Sequence, residues 1–187
     1  MTINIISNNL TLDQPQIPMP KEIEKKYRVV GFTSRQIPTD AKSMEILQIY
    51  LKRDDRPGIE CRIRRKLICG KNSYYYTEKT PTDQTGVRSE SEEAITEERY
   101  WFLLTRYVDS TCKPIAKSRF KFEVDGHILE LDVYEGELDG LVTLEIEFPD
   151  EDSMARFVPP TFLNLVDVTG DKRYSNRMLA EKGIPQF

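Results

Sequence analysis

The sequence contains few of the residues that build disulfide frameworks, zinc sites and histidine-dependent active sites. Its three cysteines, Cys61, Cys69 and Cys112, are odd in number and lack CxxC or CxxH spacing, and His127 is the single histidine. We therefore expect neither a disulfide framework nor a zinc site, and free thiols fit a cytoplasmic location. Histidine acid–base chemistry and a metal site with histidine ligands are poor candidates for the same reason.

Long apolar runs, uniform basic blocks and phosphate-cradling glycine loops are absent too. No apolar run approaches the roughly 20 residues of a membrane helix, and the N-terminus lacks the pattern of a secretory signal, so no membrane partner is expected. The formal net charge is -4 and no segment is uniformly basic, which argues against nucleic acid as the main partner. Neither GxxxxGK[ST] nor GxSxG occurs, which excludes two common catalytic frameworks.

The length and composition predict one well-packed domain. The chain has 187 residues, 31% charged and 39% hydrophobic, with nine Tyr and eight Phe, which is typical of a highly charged β protein rather than a disordered chain. Residues 1–20 carry Asn, Gln, Thr and three prolines without a clear period, so we interpret them as a flexible N-terminal arm. The domain itself is expected over residues 21–187.

Hydrophobic periodicity and turn residues predict mostly strands. Strands are expected at 21–30, 59–68, 73–79, 87–95, 115–124, 128–134 and 141–148. Helices are expected at 40–47, 97–107, 150–157 and 174–182, the last of which Gly183 ends. Residues 46–52 fit a helix or a strand, and periodicity does not decide between them. Hairpin turns are expected at 70–72 and at Asp125-Gly126.

The predicted strands are sorted by the sign of their charges. Like charges stand two residues apart in four of them, at Glu22 and Glu24, Arg62 and Arg64, Lys117 and Arg119, and Glu145 and Glu147. Residues two apart in a strand point to the same face of the sheet. Each pair therefore aims two like charges in one direction.

Extending this alternation along all the strands gives one charged face and one apolar face. The charged face holds ten acids, Glu22, Glu24, Glu60, Glu90, Glu92, Glu123, Glu130, Asp132, Glu145 and Glu147, and ten bases, Lys26, Arg28, Arg62, Arg64, Lys66, Lys79, Arg88, Lys117, Arg119 and Lys121. The apolar face, with residues such as Leu131 and Ile146, requires burial under the helices. The pattern predicts a barrel with charge inside and its apolar core outside.

A single like-charged pair fits the solvated face of an ordinary sheet, but the joint pattern favours a functional site. Like charges stacked on one face cost stability unless a ligand or a counter-charge offsets them. Carboxylates suit a divalent metal ion, and Arg and Lys suit a polyanion. Together they predict phosphate chemistry.

In this order the charged segments resemble the triphosphate tunnel metalloenzymes, also called the CYTH domain. The matching segments cover about 21–185 and are Glu22-x-Glu24-x-Lys26, Arg62-x-Arg64, Lys79, Arg88-x-Glu90-x-Glu92, Lys117-x-Arg119, Glu130-x-Asp132, Glu145-x-Glu147 and Lys172-Arg173-Tyr174. The chain is most similar to short bacterial inorganic tripolyphosphatases of that family. One departure is Ile49, because those relatives carry glycine before the tyrosine that corresponds to Tyr50.

The resemblance implies a fold and the roles of the site residues. The implied fold is mainly β (α+β), an eight-stranded antiparallel β-barrel tunnel with outer helices and a C-terminal plug helix. The implied ligands of Mg²⁺ or Mn²⁺ are Glu22, Glu24, Glu145, Glu147 and Asp132. The implied phosphate-binding residues are Lys26, Arg62, Arg64, Lys79, Lys117, Arg119, Lys172 and Arg173. The implied catalytic residues are Lys26, Arg119, Glu90, Glu92 and Tyr50. Either a second metal ion or a carboxylate such as Glu90 or Glu92 would hold the attacking water, and Tyr50 would help to hold Lys117.

The function that the resemblance implies is metal-dependent hydrolysis of the terminal phosphoanhydride of inorganic tripolyphosphate, with nucleoside and thiamine triphosphates as further small anionic substrates. Two alternatives stay open. One is a class IV-type adenylate cyclase, whose relatives share the tunnel but use a sugar hydroxyl as the nucleophile. The other is a non-catalytic module that binds polyphosphate or nucleotides. The sequence leaves homodimer formation and the physiological substrate undecided.

Overall fold

The computed structural model describes residues 23–81 and 88–186. The predicted arm at 1–20 and the predicted ligand Glu22 lie outside the described residues, and the boundary of the domain at residue 21 stays a prediction. The strands are β1 (Ile23–Val29), β2 (Lys42–Leu51), β3 (Glu60–Ile68), β4 (Lys71–Pro81), β5 (Arg88–Ile95), β6 (Ile115–Val124), β7 (His127–Glu135), β8 (Val142–Phe148) and β9 (Leu165–Asp167). The α-helices are α1 (Glu97–Tyr107), α2 (Glu151–Arg156) and α3 (Asn176–Lys182).

The strands form one antiparallel sheet, which confirms the mainly β prediction. Their order is β5-β4-β3-β2-β6-β7-β8-β1-β9. The prediction of a closed eight-stranded barrel is wrong in one respect. The sheet is not closed, and the ladders between the described strands end at β5 and β9. The unpredicted three-residue β9 pairs with β1 from Tyr27 to Val29 and so takes the outer edge of that strand. The sheet is nevertheless strongly curled, since β1 to β8 all line one cavity.

Two tight turns connect long neighbouring strands. Asp125 and Gly126, with φ of 50° and 79°, join β6 to β7 as predicted. Cys69 and Gly70, with φ of 48° and 76°, join β3 to β4 one residue earlier than expected. Positive φ at two successive residues gives the turn whose twist matches that of the flanking strands. These turns therefore set the register of both hairpins.

The predicted helix at 40–47 is wrong, because this segment is the first half of β2. Residues 46–51 are apolar apart from Gln48, and such a run does not distinguish a buried strand from a buried helix. In the structure β2 lies between β3 and β6, so it is central in the sheet. Pairing on both edges of the strand overrides the weak local preference.

The other helices occur close to where the sequence predicted them, and side-chain caps begin them. Thr96 caps α1 by accepting a hydrogen bond from the backbone of Arg99, and Asp150 caps α2 in the same way. The terminal helix α3 begins at 176 rather than 174, because residues 172–174 form a 3₁₀ turn and Ser175 is the cap. Gly183 ends it with a φ of 76°. Within the described segments no helix is both long and apolar enough to cross a membrane.

The apolar core lies on the convex side of the sheet. Leu129, Leu131, Leu144 and Ile146 of β7 and β8 are fully buried and share a cluster with Phe157, which follows α2. Separate clusters join β2, β3 and β4 to α1, and β2, β6 and β7 to α3. The prediction of an apolar face under outer helices is confirmed, and it leaves the concave face for polar residues.

Removing a side chain from this outer core should destabilise the whole domain. Leu144→Ala deletes buried atoms between β7 and β1 and should lower the free energy of unfolding by about 3 kcal/mol in urea denaturation. The matched control is Ile128→Ala on the neighbouring strand β7, where the side chain is 53% exposed. The control should cost less than about 1 kcal/mol. Equal losses in the two variants would contradict the placement of the core.

Candidate active site

The concave face of the sheet encloses a polar cavity of about 310 Å³. Its charged lining consists of seven cationic side chains, Lys26, Arg62, Arg64, Lys79, Lys117, Arg119 and Arg177, and six carboxylates, Glu24, Glu60, Glu90, Glu130, Glu145 and Glu147. Strands β1 to β8 and the start of α3 all contribute to this lining. The structure thus brings together most of the residues that the sequence predicted for one site.

Carboxylates are concentrated on β7, β8 and β1. Glu24 is directly opposite Glu147 in the β1–β8 ladder, and Glu130 is directly opposite Glu145 in the β7–β8 ladder. Like charges in these positions repel each other, and oxygen donors of this kind suit hard divalent cations. No preassembled group of three or more metal-ligating side chains is found in the described part of the chain. Glu24 and Glu147 are both exposed at their side of the cavity, where an ion could reach them.

Glu145 is held by cations on two neighbouring elements. Its carboxylate contacts Lys26 Nζ at 2.7 Å and Arg119 Nη2 at 3.0 Å. Burial alone would raise the pKa of this carboxyl, but the charges of Lys26, Lys117 and Arg119 hold the pKa well below its usual value. Glu145 is therefore an anion at neutral pH, and its contacts with Lys26 and Arg119 occupy some of the oxygen lone pairs that could otherwise bind a metal ion.

Asp132 is the most deeply buried charged residue of the site. It is inaccessible to solvent and contacts Lys117 Nζ at 2.5 Å and Arg119 Nε and Nη2 at 2.6 and 2.7 Å. Burial lowers the pKa of Lys117, an effect that the charge of Asp132 opposes. The predicted metal role of Asp132 stays a prediction, and its surroundings favour the orientation of Lys117 and Arg119 instead.

On β3, β4 and β5 the predicted phosphate-binding cations are paired with the predicted water-holding carboxylates. Glu90 contacts Arg62 Nη2 at 2.6 Å and Lys79 Nζ at 2.5 Å. Burial alone would raise the pKa of Glu90, but the hydrogen bond from Lys79 and the charge of Arg62 lower it. Glu92 contacts Arg64 Nη1 at 3.2 Å and also accepts a hydrogen bond from the hydroxyl of Thr77.

Tyr50 lies next to Gln48 and Arg177. Its hydroxyl accepts a hydrogen bond from Gln48 Nε2 at 3.1 Å, and the guanidinium of Arg177 lies 5.0 Å from its ring centre. Lys117, which Tyr50 was expected to hold, lies 5.2 Å from the ring centre of Tyr134. Tyr50 and Lys117 nevertheless line the same cavity, so a catalytic role for Tyr50 stays a prediction.

Gln48 is a site residue that the sequence reasoning missed. It is buried, and its side-chain oxygen accepts a hydrogen bond from Arg64 Nη2 at 3.2 Å. Gln48 is two residues from Tyr50 and so shares its face in β2. The signal was that spacing, and it was lost because residues 46–52 were left undecided between a helix and a strand.

The C-terminal helix α3 borders the cavity, as the predicted plug helix should. Arg177 contacts Asp109 at 3.0 Å, and Asn176 accepts a hydrogen bond from the Tyr134 hydroxyl at 3.1 Å. Asp109 and Arg177 were also missed, since their contact joins segments 68 residues apart. A contact of that range leaves no trace in local periodicity.

Lys172 and Arg173 lie outside the charged lining of the central cavity. Arg173 is exposed and pairs with Asp171 at 2.7 Å. Lys172 lines an adjoining cavity of about 420 Å³, which also contacts Glu24 and Lys26. A substrate-binding role for Lys172 and Arg173 stays a prediction, and of the two Lys172 is nearer to the carboxylates of β1.

The chain matches no protein-family model, but it is similar to two curated proteins over most of its length. It is 32% identical over 171 residues to an inorganic triphosphatase of Acetivibrio thermocellus, covering 90% of this chain and 99% of that protein. It is 30% identical over 161 residues to an inorganic triphosphatase of Nitrosomonas europaea, covering 85% of this chain and 96% of that protein.

Solved structures share the fold. The crystal structure of the inorganic triphosphatase NE1496 matches with a TM-score of 0.63 at 30% identity, over 89% of this chain and 99% of that chain. The structure of HpAC1 from Hippeastrum matches with a TM-score of 0.54 at 17% identity, over 72% of this chain and 82% of that chain. The second likeness concerns the fold alone.

The ion pairs of Glu145 predict a pH dependence of stability. A carboxyl whose folded pKa is depressed stabilises the fold above its unfolded pKa, here near 4.5, and this contribution is lost as the pH falls. The free energy of unfolding of wild type should therefore exceed that of Glu145→Gln most at neutral pH. The difference should shrink below about pH 4.5 in urea titrations. Glu123→Gln, at an exposed carboxylate of β6, is the control and should show no such trend. A difference that grows at low pH would contradict the assignment.

Proposed function

Because the chain belongs to the inorganic triphosphatase family of the triphosphate tunnel metalloenzymes, we propose that it hydrolyses the terminal phosphoanhydride of inorganic tripolyphosphate with Mg²⁺ or Mn²⁺. The observation that carries this proposal is the lining of the cavity, where opposed carboxylates and a set of Arg and Lys side chains face one space. Phosphoryl transfer needs positioning and neutralisation of charge more than it needs a protein nucleophile.

The charge balance of the cavity supports a bound divalent cation. The lining has seven cationic groups against six carboxylates, so its formal excess is a single positive charge. Tripolyphosphate carries several negative charges, which this excess does not balance. A hard cation held by Glu24 and Glu147 would relieve their repulsion and raise the positive charge of the site. Glu145 would assist, and Glu22 is a predicted further ligand outside the described residues.

The cationic side chains would bind the substrate along the cavity. Arg62, Arg64 and Arg119 can each contact two phosphate oxygens at once, which fixes the phosphate as well as binding it. Lys79 and Lys26 would add point charges at the two sides of the cavity. These contacts strengthen as negative charge accumulates on the transferring group, so they stabilise the transition state.

In the reaction a water oxygen attacks the terminal phosphorus, and the bond from phosphorus to the bridging oxygen breaks in line. The products are orthophosphate and pyrophosphate. When bound, the cation would polarise the phosphoryl oxygens and acidify a nearby water. Glu90 or Glu92 would hold the attacking water, one of the two arrangements that the resemblance implies, and would accept its proton. Both carboxylates must first leave the cations that hold them.

The cavity favours an inorganic substrate over a nucleotide. Ile46 and Tyr50 are the large apolar or aromatic side chains among its lining, whereas a nucleoside requires apolar and hydrogen-bonding contacts for its base. The cyclase alternative is therefore the weaker one. The alternative of a binding module is weaker too, because a module that only binds polyphosphate needs the cations but not the opposed carboxylates Glu24 and Glu147.

Product analysis tests the proposed reaction. Tripolyphosphate should yield orthophosphate and pyrophosphate, and pyrophosphate itself should be a poor substrate because it spans less of the cavity. ATP should release orthophosphate and ADP slowly, without cyclic AMP. The measurement is phosphate release and chromatography of the products with Mg²⁺ and with Mn²⁺. Faster formation of cyclic AMP and pyrophosphate from ATP would favour the cyclase, and binding without turnover would favour the module.

Substitution of the opposed carboxylates tests the cation site. Glu24→Gln or Glu147→Gln should lower turnover by about three orders of magnitude, because a lost cation removes several kcal/mol of charge stabilisation. EDTA should abolish the activity of wild type, and Mg²⁺ or Mn²⁺ should restore it. The control is Glu45→Gln, an exposed carboxylate of β2, which should keep full activity. Unchanged activity of Glu24→Gln in EDTA would rule out this cation site.

A further inference from the structure

The cations of the β3–β4–β5 wall are already occupied by carboxylates of the protein itself. Glu90 forms a bridge, since one of its oxygens contacts Arg62 at 2.6 Å and the other contacts Lys79 at 2.5 Å. These are the distances of strong charge-assisted contacts. Arg62 is buried, and its Nε has no hydrogen-bond partner within the described residues. That nitrogen is itself enclosed by the protein, so a ligand has to meet Arg62 through its other nitrogens, one of which contacts Glu90.

Glu92 repeats the arrangement two residues further along β5. One of its oxygens contacts Arg64 at 3.2 Å and accepts a hydrogen bond from Thr77 at 3.1 Å, and the other contacts Lys66 at 3.4 Å. The contacts are longer than those of Glu90, so the bridge is weaker. Each glutamate therefore pairs with two cations: Glu90 with Arg62 and Lys79, and Glu92 with Arg64 and Lys66.

We propose that Glu90 and Glu92 are internal counter-anions that occupy the phosphate-binding cations of the free protein, and that the requirement to displace them keeps short phosphates from binding at concentrations at which longer chains bind. This inference rests on the proposed function, because it takes the cavity to be the polyphosphate site. It assigns the two glutamates a role before the chemical step, in addition to any later role as proton acceptor.

The selectivity follows from the exchange of one anion for another. A phosphate that displaces Glu90 gains contacts with Arg62 and Lys79 but loses those of the carboxylate, so each exchange yields little net free energy. The displaced carboxylate also stays near the bound anion and repels it. A short ligand that makes one such exchange binds weakly. A longer chain can displace the glutamate and also reach the cations of β1 and β6. Its contacts with those cations supply the binding free energy that the exchange at Glu90 does not.

The exchange can be told apart from a general electrostatic effect. Removing one negative charge from the cavity strengthens the binding of any anion in proportion to the charge of that anion. That effect alone would favour the longer phosphate chain and widen its advantage. Removing a counter-anion instead spares both ligands the same exchange, so both affinities rise by the same factor and their ratio does not change.

The experiment is isothermal titration calorimetry with phosphate chains that resist hydrolysis. The probes are tripolyphosphate and pyrophosphate analogues whose bridging oxygens are replaced by imido groups, each with Mg²⁺. The variants are Glu90→Gln and Glu92→Gln, in which the amide oxygen still accepts hydrogen bonds from the cations. The matched control is Glu93→Gln on the same strand, where the carboxylate is 51% exposed and pairs with Arg99. Thermal unfolding of every variant verifies that it is folded.

The expected result is that Glu90→Gln binds both analogues more tightly than wild type by the same factor of about ten, which is typical for one charge-assisted contact. Glu92→Gln should tighten both by a smaller common factor, Glu93→Gln should bind like wild type, and the ratio of affinities for the long and short analogues should stay constant. Binding by Glu90→Gln that equals the control, or a ratio that changes, would overturn the proposal.

These outcomes are separate from those that test the proposed function. If wild type hydrolyses tripolyphosphate while Glu90→Gln binds like Glu93→Gln, the triphosphatase stands and the counter-anion role fails. If wild type shows no turnover while Glu90→Gln tightens the binding of both analogues by one common factor, the counter-anion role stands for a binding module and the proposed reaction fails. Failure of both analogues to bind any variant would overturn both.

Discussion

The structure depends on the balance of charges across the ladders of one curled sheet. Inward-facing charges on neighbouring strands are opposite in sign over much of the concave face, as at Lys26 and Glu145, which are cross-strand partners and contact each other. Lys79 and Glu90 are a second such pair. A sheet can turn this many charges inward because register, rather than solvent, supplies the counter-charges. The apolar residues are then free to form the core on the outer face.

This balance of charges fails where β7, β8 and β1 lie side by side, and the cavity therefore has an acidic end and a basic end. Strands β7, β8 and β1 are adjacent and all carry inward carboxylates, among them Glu130, Glu147 and Glu24. Basic residues dominate β3 and β6, which are separated by β2. The inner face of β2 carries neutral Ile46 and Gln48 and keeps the two basic strands from direct opposition. The polarity of the cavity is therefore a consequence of strand order.

The sequence predicted those features of the site that depend on a period of two. Arg62, Arg64, Glu145 and Glu147 could be placed on one face because alternation within a strand is local. The place of Gln48 in the site was missed because residues 46–52 were left undecided between a helix and a strand. The error at 40–47 has a different cause, since a helix was inferred there from a weak local pattern that the pairing of β2 with β3 and β6 overrides.

Other features were inaccessible because they join distant segments. The contact between Arg177 and Asp109 and the short strand β9 (Leu165–Asp167) depend on how the C-terminal segment returns to the sheet. A strand of three residues such as β9 is too short to show an alternation of polar and apolar side chains. A single ion pair between distant residues leaves no periodic pattern in the sequence. The pairing of β9 with the end of β1 was likewise not among the predicted strands.

A site for a highly charged ligand has to be stable when that ligand is absent. Unbalanced Arg and Lys side chains in a half-buried cavity would repel one another and weaken the fold. Internal carboxylates such as Glu90 and Asp132 remove this repulsion and also fix the orientation of Arg62 and Arg119. Orientation before binding favours transition-state stabilisation, because no reorganisation is then needed during the reaction. The consequence is that affinity for the substrate is limited by the same contacts that keep the empty site folded, and Glu90, which is less buried than Asp132, is the anion better placed to exchange.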